Sequence, residues 1–417
     1  MKLPIHLAVK ASFLLALAAF YMLTASGAII PAADARQKKS KNFPQEQTLN
    51  VPGSDGSCAP YDTSWHHLSS CLQKVEDNWD QTKDADRSRE AAVAREIAER
   101  VLLDDSTRFS ADDERISQKS TLIQYLDRGQ LIPDAADVHI FQSNDLGQPY
   151  NAMGQTDMTR AFLQMSARAL DAGGSSKDSL FYRNAAEAML RTVTDQTSEG
   201  GLATIEPCRA DTTLDCAWFH SITRRNRPSN QGATLNQNLH ALRDFGLIGD
   251  FYTGRGWPQP QPLDRLIAEG LNQLFLEAPR QRKGDLPTLE DFLAPPAGSS
   301  GVRWMYYGFN RNKPVGRGGY FLGRNGKDCG YQVHVLQLLS RILERAKSKG
   351  IWPVERALVC DGPLARAYRD TALRMSTDDP RIWSSNKLPK DSSCNAKHRQ
   401  TFKTISSYYE TALATCH

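Results

Sequence analysis

The sequence predicts a mainly α protein. The architecture it suggests is an (α/α) toroid of helical hairpins, with a few short strands and long loops around a cleft. Three observations predict this. Amphipathic stretches with helical spacing follow one another along most of the chain. The connections between them are rich in Gly, Pro or Asn. Alternating apolar and polar runs, the mark of half-buried strands, are scarce. Repeated helix–loop–helix units without a heptad suit helices stacked in pairs, because a single bundle would use fewer and longer helices.

The elements follow in order. Lys2 and Lys10 lead into ASFLLALAAFYMLTASGAII, an apolar stretch, and Ala33-Asp34-Ala35 gives a small-x-small pattern after it. Residues 1–35 therefore read as a signal peptide. The stretch is also long enough to span a bilayer, so a membrane anchor is the alternative. RQKKSK would then place four positive charges on the far side, where the positive-inside rule disfavours them. Export to the periplasm or beyond the cell is the expectation. Residues 36–60 are polar with Gly, Pro and Ser and read as a linker. Residues 61–417 read as a single toroid-like domain.

Within that domain Ser88–Leu103 carries an apolar stripe at Val93, Ile97, Val101 and Leu102. Met158, Phe162, Met165 and Leu170 repeat it, and Asp178–Val193 repeats it again. ATLNQNLHALRDFGLI, PLDRLIAEGLNQLFLEA, YQVHVLQLLSRILERA and GPLARAYRDTALRM follow as further predicted helices. DAGGSSKD, SEGG, TGRGWPQPQP and RNKPVGRGG read as loops. GLATIEP and WMYYGFN are the predicted short strands.

Composition narrows the function classes. Of 417 residues, 40% are apolar and 24% charged, which is globular. The net charge of +4 is too small for a nucleic-acid signature. Eight cysteines, an even count in an exported chain, point to disulfides. Cys58 with Cys71 and Cys208 with Cys216 are close enough for local bridges. Cys329, Cys360, Cys394 and Cys416 allow three pairings. No CxxC occurs and no His stands at ligand spacing from a Cys, so cysteine–zinc sites are not expected. No Rossmann glycine pattern, nucleotide loop or GxSxG elbow is evident, and no cofactor or metal is expected. GRGGYFLGRNG (316–326) is glycine-rich without strand–helix context and reads as a flap.

Four predicted helix mouths share one character. The first carries Tyr150, Asn151 and Gln155. The second carries Trp218, Phe219, His220, Arg224, Arg225, Arg227, Asn230, Gln231 and Asn236. The third carries Arg303, Trp304, Tyr306, Tyr307 and Arg311, and the fourth Tyr331 and His334. Aromatic rings stack on sugar faces, amides bond hydroxyls and Arg forks onto carboxylates. The set therefore suits a sugar acid. Each residue also has a packing reading: the Trp residues as core, the Arg cluster as a solvated loop, His240 and His334 as helix packing.

PYNAMGQTDMTRAFLQMSARA, WFHSITRRNRPSNQGATLNQNLHALRDFGL and GYQVHVLQLLSRI resemble, in order and spacing, the C-terminal helical domain of D-glucuronyl C5-epimerases. The matching points are Tyr150-x-Ala152-Met153-x-Gln155, Leu235-Asn236 ahead of Arg243-Asp244-Phe245, and Tyr331-x-x-His334 with Gln337-Leu338-Leu339-Ser340. The resemblance covers about residues 145–346. It implies an (α/α) toroid that binds uronic-acid polysaccharide and inverts C5 by removing and returning a proton. Tyr331 stands where the family has one such tyrosine, and Tyr306 or Tyr307 near another. The family's acidic, Tyr-containing loop is replaced here by His220-Ser221-Ile222-Thr223. His220, His334 or Glu206 would have to replace the acid. Gln155, Arg225, Asn236, Arg303 and Arg311 are the expected binders of the uronate, with Tyr150, Asn151, Trp218 and Trp304 lining the groove. A lyase acting by β-elimination on the same substrate, or a glycan-binding protein without catalysis, is the alternative.

Overall fold

The computed structural model describes residues 128, 130–133, 152–171, 173, 176–199, 201–220, 232–282, 284–295, 301–306, 308–310, 320–321, 329–377 and 396–414. All of them lie in one compact unit. The signal-peptide and linker readings, the Ser88–Leu103 helix and Cys58 with Cys71 fall outside the described residues.

The described chain is mainly α. Helix α1 (Ala152–Asp171) and α2 (Ser176–Thr194) form an antiparallel hairpin. The turn passes through Gly173 at φ 66°, a left-handed conformation that suits glycine. Small residues of α2, Ala185 and Ala186, let the helices approach, and Phe162 stacks on Tyr182. Ser166 Oγ donates to the Ser179 carbonyl at 2.8 Å, and Thr159 Oγ1 reaches the Ala186 carbonyl. The Asn184 amide holds residues 130–132 against this hairpin by accepting from the Ile132 N–H.

Helix α3 (Leu235–Arg255) ends at Gly256, φ 65°, whose N–H bonds the Thr253 carbonyl while that of Trp257 returns to Tyr252. This is a glycine-terminated helix stop. Helix α4 (Leu263–Phe275) packs back along α3, with Gly270 against Leu242 and Leu263 near Gly249. Helix α5 (Cys329–Lys349) ends at Gly350, φ 63°. Helix α6 (Pro363–Ala367) runs into a π-helical segment, Tyr368–Leu373, and a last α turn, Arg374–Ser376. Helix α7 (Ala396–Ala412) covers α5, with Tyr409 Oη donating to the Leu336 carbonyl at 2.9 Å.

Helices α1, α3 and α5 run parallel. Asp157 meets Arg243 and, fourteen residues on, Asp171 meets Arg255. His240 meets His334 and, further along both helices, Asp250 meets Arg345. Both series of contacts advance together, so the three helices begin at the same end. Helices α2 and α4 run the other way.

Two small sheets sit at that end. Strands β1 (Ala203–Pro207) and β2 (Asp215–Phe219) form an antiparallel hairpin, closed by the Cys208–Cys216 disulfide. Strand β3 (Gly232–Thr234) pairs with β4 (Gly308–Asn310), which pairs with β5 (Tyr320–Phe321). This second sheet ties the segment entering α3 to the one approaching α5. Of the two predicted strand pieces, GLATIEP contains β1, and the end of WMYYGFN contains β4.

The core gathers between the helices. Trp218 lies fully buried and parallel to Phe292 at 5.9 Å, and Phe219 meets Phe245 edge-on. No described helix is long and apolar enough to cross a membrane.

Candidate functional site

The parallel course of α1, α3 and α5 brings their first turns together. The N–H of Ala152, at the start of α1, donates to the His220 carbonyl at the end of β2. On α5, Gln332 fixes the incoming chain: its amide bonds both the N–H of Met305, at 2.8 Å, and the carbonyl of Met305, at 3.0 Å. Tyr331 Oη donates to the neighbouring Tyr306 carbonyl at 3.2 Å. Both tyrosines are half-buried.

One turn further along, a polar cluster crosses all three helices. Nε2 of His240 lies 2.6 Å from Nε2 of His334, with the rings tilted and their centroids 4.7 Å apart. Asp244, one turn beyond His240, is fully buried. Its Oδ1 accepts from Arg243 Nε at 2.8 Å and pairs with Arg160 at 3.4 Å; its Oδ2 accepts from Thr156 Oγ1 at 2.8 Å. Asp157 joins through Arg243 at 3.3 Å and through a hydrogen bond to Asp244 itself.

Burial and the neighbouring Asp244 push the Asp157 carboxyl up to about 8, against the opposing pull of Arg243 and Arg160. Asp157 therefore carries a proton at neutral pH. Burial, helped by the fields of Arg243 and Arg341, holds His334 below the usual histidine range, so its ring is neutral there. This cluster thus combines a protonated acid, a neutral imidazole and guanidiniums.

The expected site residues divide sharply. Asn236 lies one turn before His240, and Tyr331 one turn before His334. On adjacent parallel helices, i,i+4 and i,i+3 spacing keeps each near the face of its histidine. The His240–His334 contact therefore sets Asn236 and Tyr331 at the same end of the two helices. Gln155 is different. It shares a face of α1 with Thr159, toward α2, about 100° round the helix from the face of Thr156 and Arg160 that meets α3. It is fully buried and neither amide atom has a hydrogen-bond partner.

Others stand in the packing or on the surface. Trp218 and Trp304 are core residues, 0% and 4% exposed, so neither ring offers a face on which a sugar could stack. Arg303 is turned to the π-helical segment, pairing with Asp370 at 3.4 Å and donating to the Ala294 carbonyl. His220 is buried, its Nε2 2.7 Å from Thr204 Oγ1 across the hairpin. Glu206 is exposed on β1 opposite Cys216. Tyr150, Asn151, Arg225, Tyr307, Arg311 and the glycine-rich 316–319 and 322–326 lie outside the described residues.

Sequence reasoning passed over Asp157, His240 and Asp244 as site members. Asp157 stood in the polar run at a helix mouth and Asp244 inside the Arg243-Asp244-Phe245 stretch. Neither signal said that they meet although 87 positions apart. The spacing of Asp244 from His240 by one helical turn was the available clue.

The arrangement defines a class: a helical scaffold with a polar, titratable floor at the shared start of three parallel helices. Comparison of the chain with protein-family models, with curated proteins and with solved structures gives no match.

Proposed function

We propose that the protein is an exported carbohydrate-active enzyme that works on uronic-acid residues of a polysaccharide, inverting D-glucuronyl units at C5. The observation that carries the reading is the His240–His334 contact, which sets Asn236 and Tyr331, one turn earlier on each helix, at the shared start of two parallel helices, with Arg243 and Arg341 acting on His334.

The chemistry asks for this combination. The C5 proton of a uronate is weakly acidic, because a carboxylate is a poor electron sink. Positive and hydrogen-bonding groups at that carboxylate stabilise the enediolate-like state. Arg243 and Arg341 supply positive field, and Asn236 an amide. Tyr331 is the group we assign to proton transfer; its hydroxyl bonds the Tyr306 carbonyl and its helix is held by the Gln332 clamp. The second proton-transfer group on the opposite face is Tyr306 or Tyr307, from the segment that Gln332 holds. Parallel α1, α3 and α5 with returning α2 and α4 are what an (α/α) toroid contributes to its wall, and we extend the reading to that architecture. The Cys208–Cys216 disulfide, together with the disulfide-bonded state of Cys329 and Cys360, supports an oxidising compartment.

Incubation with a panel of uronic-acid glycans in deuterated water tests the proposal. Deuterium at C5 of an intact chain is the expected result. Shortened chains with an unsaturated, ultraviolet-absorbing end would make the protein a lyase. Neither change, with a glycan-induced rise in melting temperature, would make it a binding protein.

A further inference from the structure

The cluster between α1, α3 and α5 pairs like with like. Asp157 and Asp244 face each other as carboxyls, and His240 and His334 face each other ring nitrogen to ring nitrogen. An ionic lock built to hold helices would set acid against base throughout. The two carboxyls repel once both are ionised, and two imidazoles at 2.6 Å compete for one proton. One shared proton satisfies each pair as it stands, and a divalent cation would suit both pairs at once.

We propose that Asp157, His240 and Asp244 bind a first-row divalent transition-metal ion, with His334 orienting His240. One ligand atom from each of the three lies within 4.8 Å of the others. Donors at about 2.0–2.2 Å from a shared ion stand roughly 3–4 Å apart, so small side-chain rotations close the set. His240 is engaged through Nε2 by His334 and ligates through its other ring nitrogen, Nδ1.

The surroundings match an outer shell. Arg243 and Arg160 hold Oδ1 of Asp244, Arg243 also reaches Oδ1 of Asp157, and Thr156 donates to Oδ2 of Asp244. Such bonds fix carboxylate orientation without using every lone pair, since each oxygen has two. Charge also permits the ion. Two guanidiniums balance two carboxylates, and the ion's own two charges remain, as they do at a three-histidine zinc centre. The donors choose the class. Imidazole beside carboxylates suits zinc, manganese or iron, whereas calcium prefers oxygen throughout. Three protein ligands leave a coordination position for water or an anionic ligand.

The other close grouping among the described residues, Cys208, Cys216 and Glu277, is not comparable, because its two sulfurs are bonded to each other. The ion site stands on its own geometry and does not depend on the uronate reading. Ion binding without epimerisation, or epimerisation without ion binding, would separate the two.

The test uses the tag-free full chain with its disulfides intact, treated with chelator, dialysed, and titrated calorimetrically with zinc and with manganese. One ion per chain is expected, with a rise in melting temperature. Asp157→Asn and His240→Gln should abolish stoichiometric uptake, and His334→Phe should weaken it by about 10–100-fold. Asp171→Asn, in an exposed pair away from the cluster, should bind as the parent does. Cobalt added to the unmodified protein should give visible bands of a nitrogen–oxygen site without a thiolate band, a readout that needs no variant to fold. Absence of stoichiometric uptake of either ion, or a thiolate band, would overturn the proposal, as would full affinity in folded His240→Gln.

Discussion

The Nε2 atoms of His240 and His334 are 2.6 Å apart, and through this contact the sixth residue of α3 meets the sixth residue of α5. The two helices therefore start level. Asn236 and Tyr331, one turn earlier on each, therefore lie level with one another.

Tyr331→Phe removes the phenolic proton and leaves the ring. The lost hydrogen bond to the Tyr306 carbonyl is worth about 0.5–1.5 kcal/mol, so the variant should fold with a near-parental melting temperature. Turnover of the uronate, read as C5 deuterium incorporation, should vanish. Full residual activity in Tyr331→Phe would remove this tyrosine from the mechanism.

Asp157 sets a pH dependence in the chelator-treated protein. Its folded value near 8 lies above an unfolded value near 4, so between these the folded state binds more protons. The stabilising contribution is complete below pH ~4 and disappears as pH rises through ~8. Urea unfolding of the parent and of Asp157→Asn across that window measures it. The variant should show a flatter profile and gain relative stability at the alkaline end; parallel curves would refute the assignment.

The Cys208–Cys216 bridge closes a short loop, sequence separation 8, with both cysteines buried. Loop entropy puts its contribution at about 2–3 kcal/mol. The paired Cys208→Ala, Cys216→Ala variant should lower the urea midpoint accordingly, with the slope unchanged.

Two glycines should respond in opposite directions to alanine. A Cβ on Gly201 would stand 2.0 Å from the backbone carbonyl oxygen of Asp195, which has no side-chain freedom to yield. Gly201→Ala should cost about 1–3 kcal/mol. Gly254 lies exposed in α3 with nothing within 4 Å of the added atom. Gly254→Ala should stabilise by about 0.5–1 kcal/mol, because the helix no longer carries glycine's backbone entropy. Thermal melts of the pair decide both.

Much of the fold was legible where the hydrophobic period was long. The stripe Met158, Phe162, Met165 became α1, and Asp178–Val193 fell within α2. The helices over 263–275 and 331–346 followed the same rule. Short elements escaped. Strand β2 lay hidden in a stretch read as a helix mouth, because five residues between a disulfide cysteine and a loop carry too little periodicity. Strand β3 was read as the start of α3. GPLARAYRDTALRM was read as one α-helix, yet Tyr368–Leu373 is π-helical. There the Asp370 carbonyl accepts the N–H of Arg303, and the Thr371 hydroxyl bonds the Arg303 carbonyl; these are contacts from 67 and 68 positions away.

By itself the sequence marked helices α1 to α5, the loops that hold Gly173 and Gly256, and Cys208 with Cys216 as candidates for a local bridge. Each of these is a local matter of period, backbone freedom or loop length. Only the tertiary structure decided which polar residues share a site. It withdrew Trp218 and Trp304 into the core, turned Arg303 to Asp370, and left Glu206 in solvent. It joined Asp157 to Asp244 and His240 to His334. The reason is physical: a helix fixes the direction of its side chains relative to one another, while the choice of neighbour depends on how whole apolar faces pack.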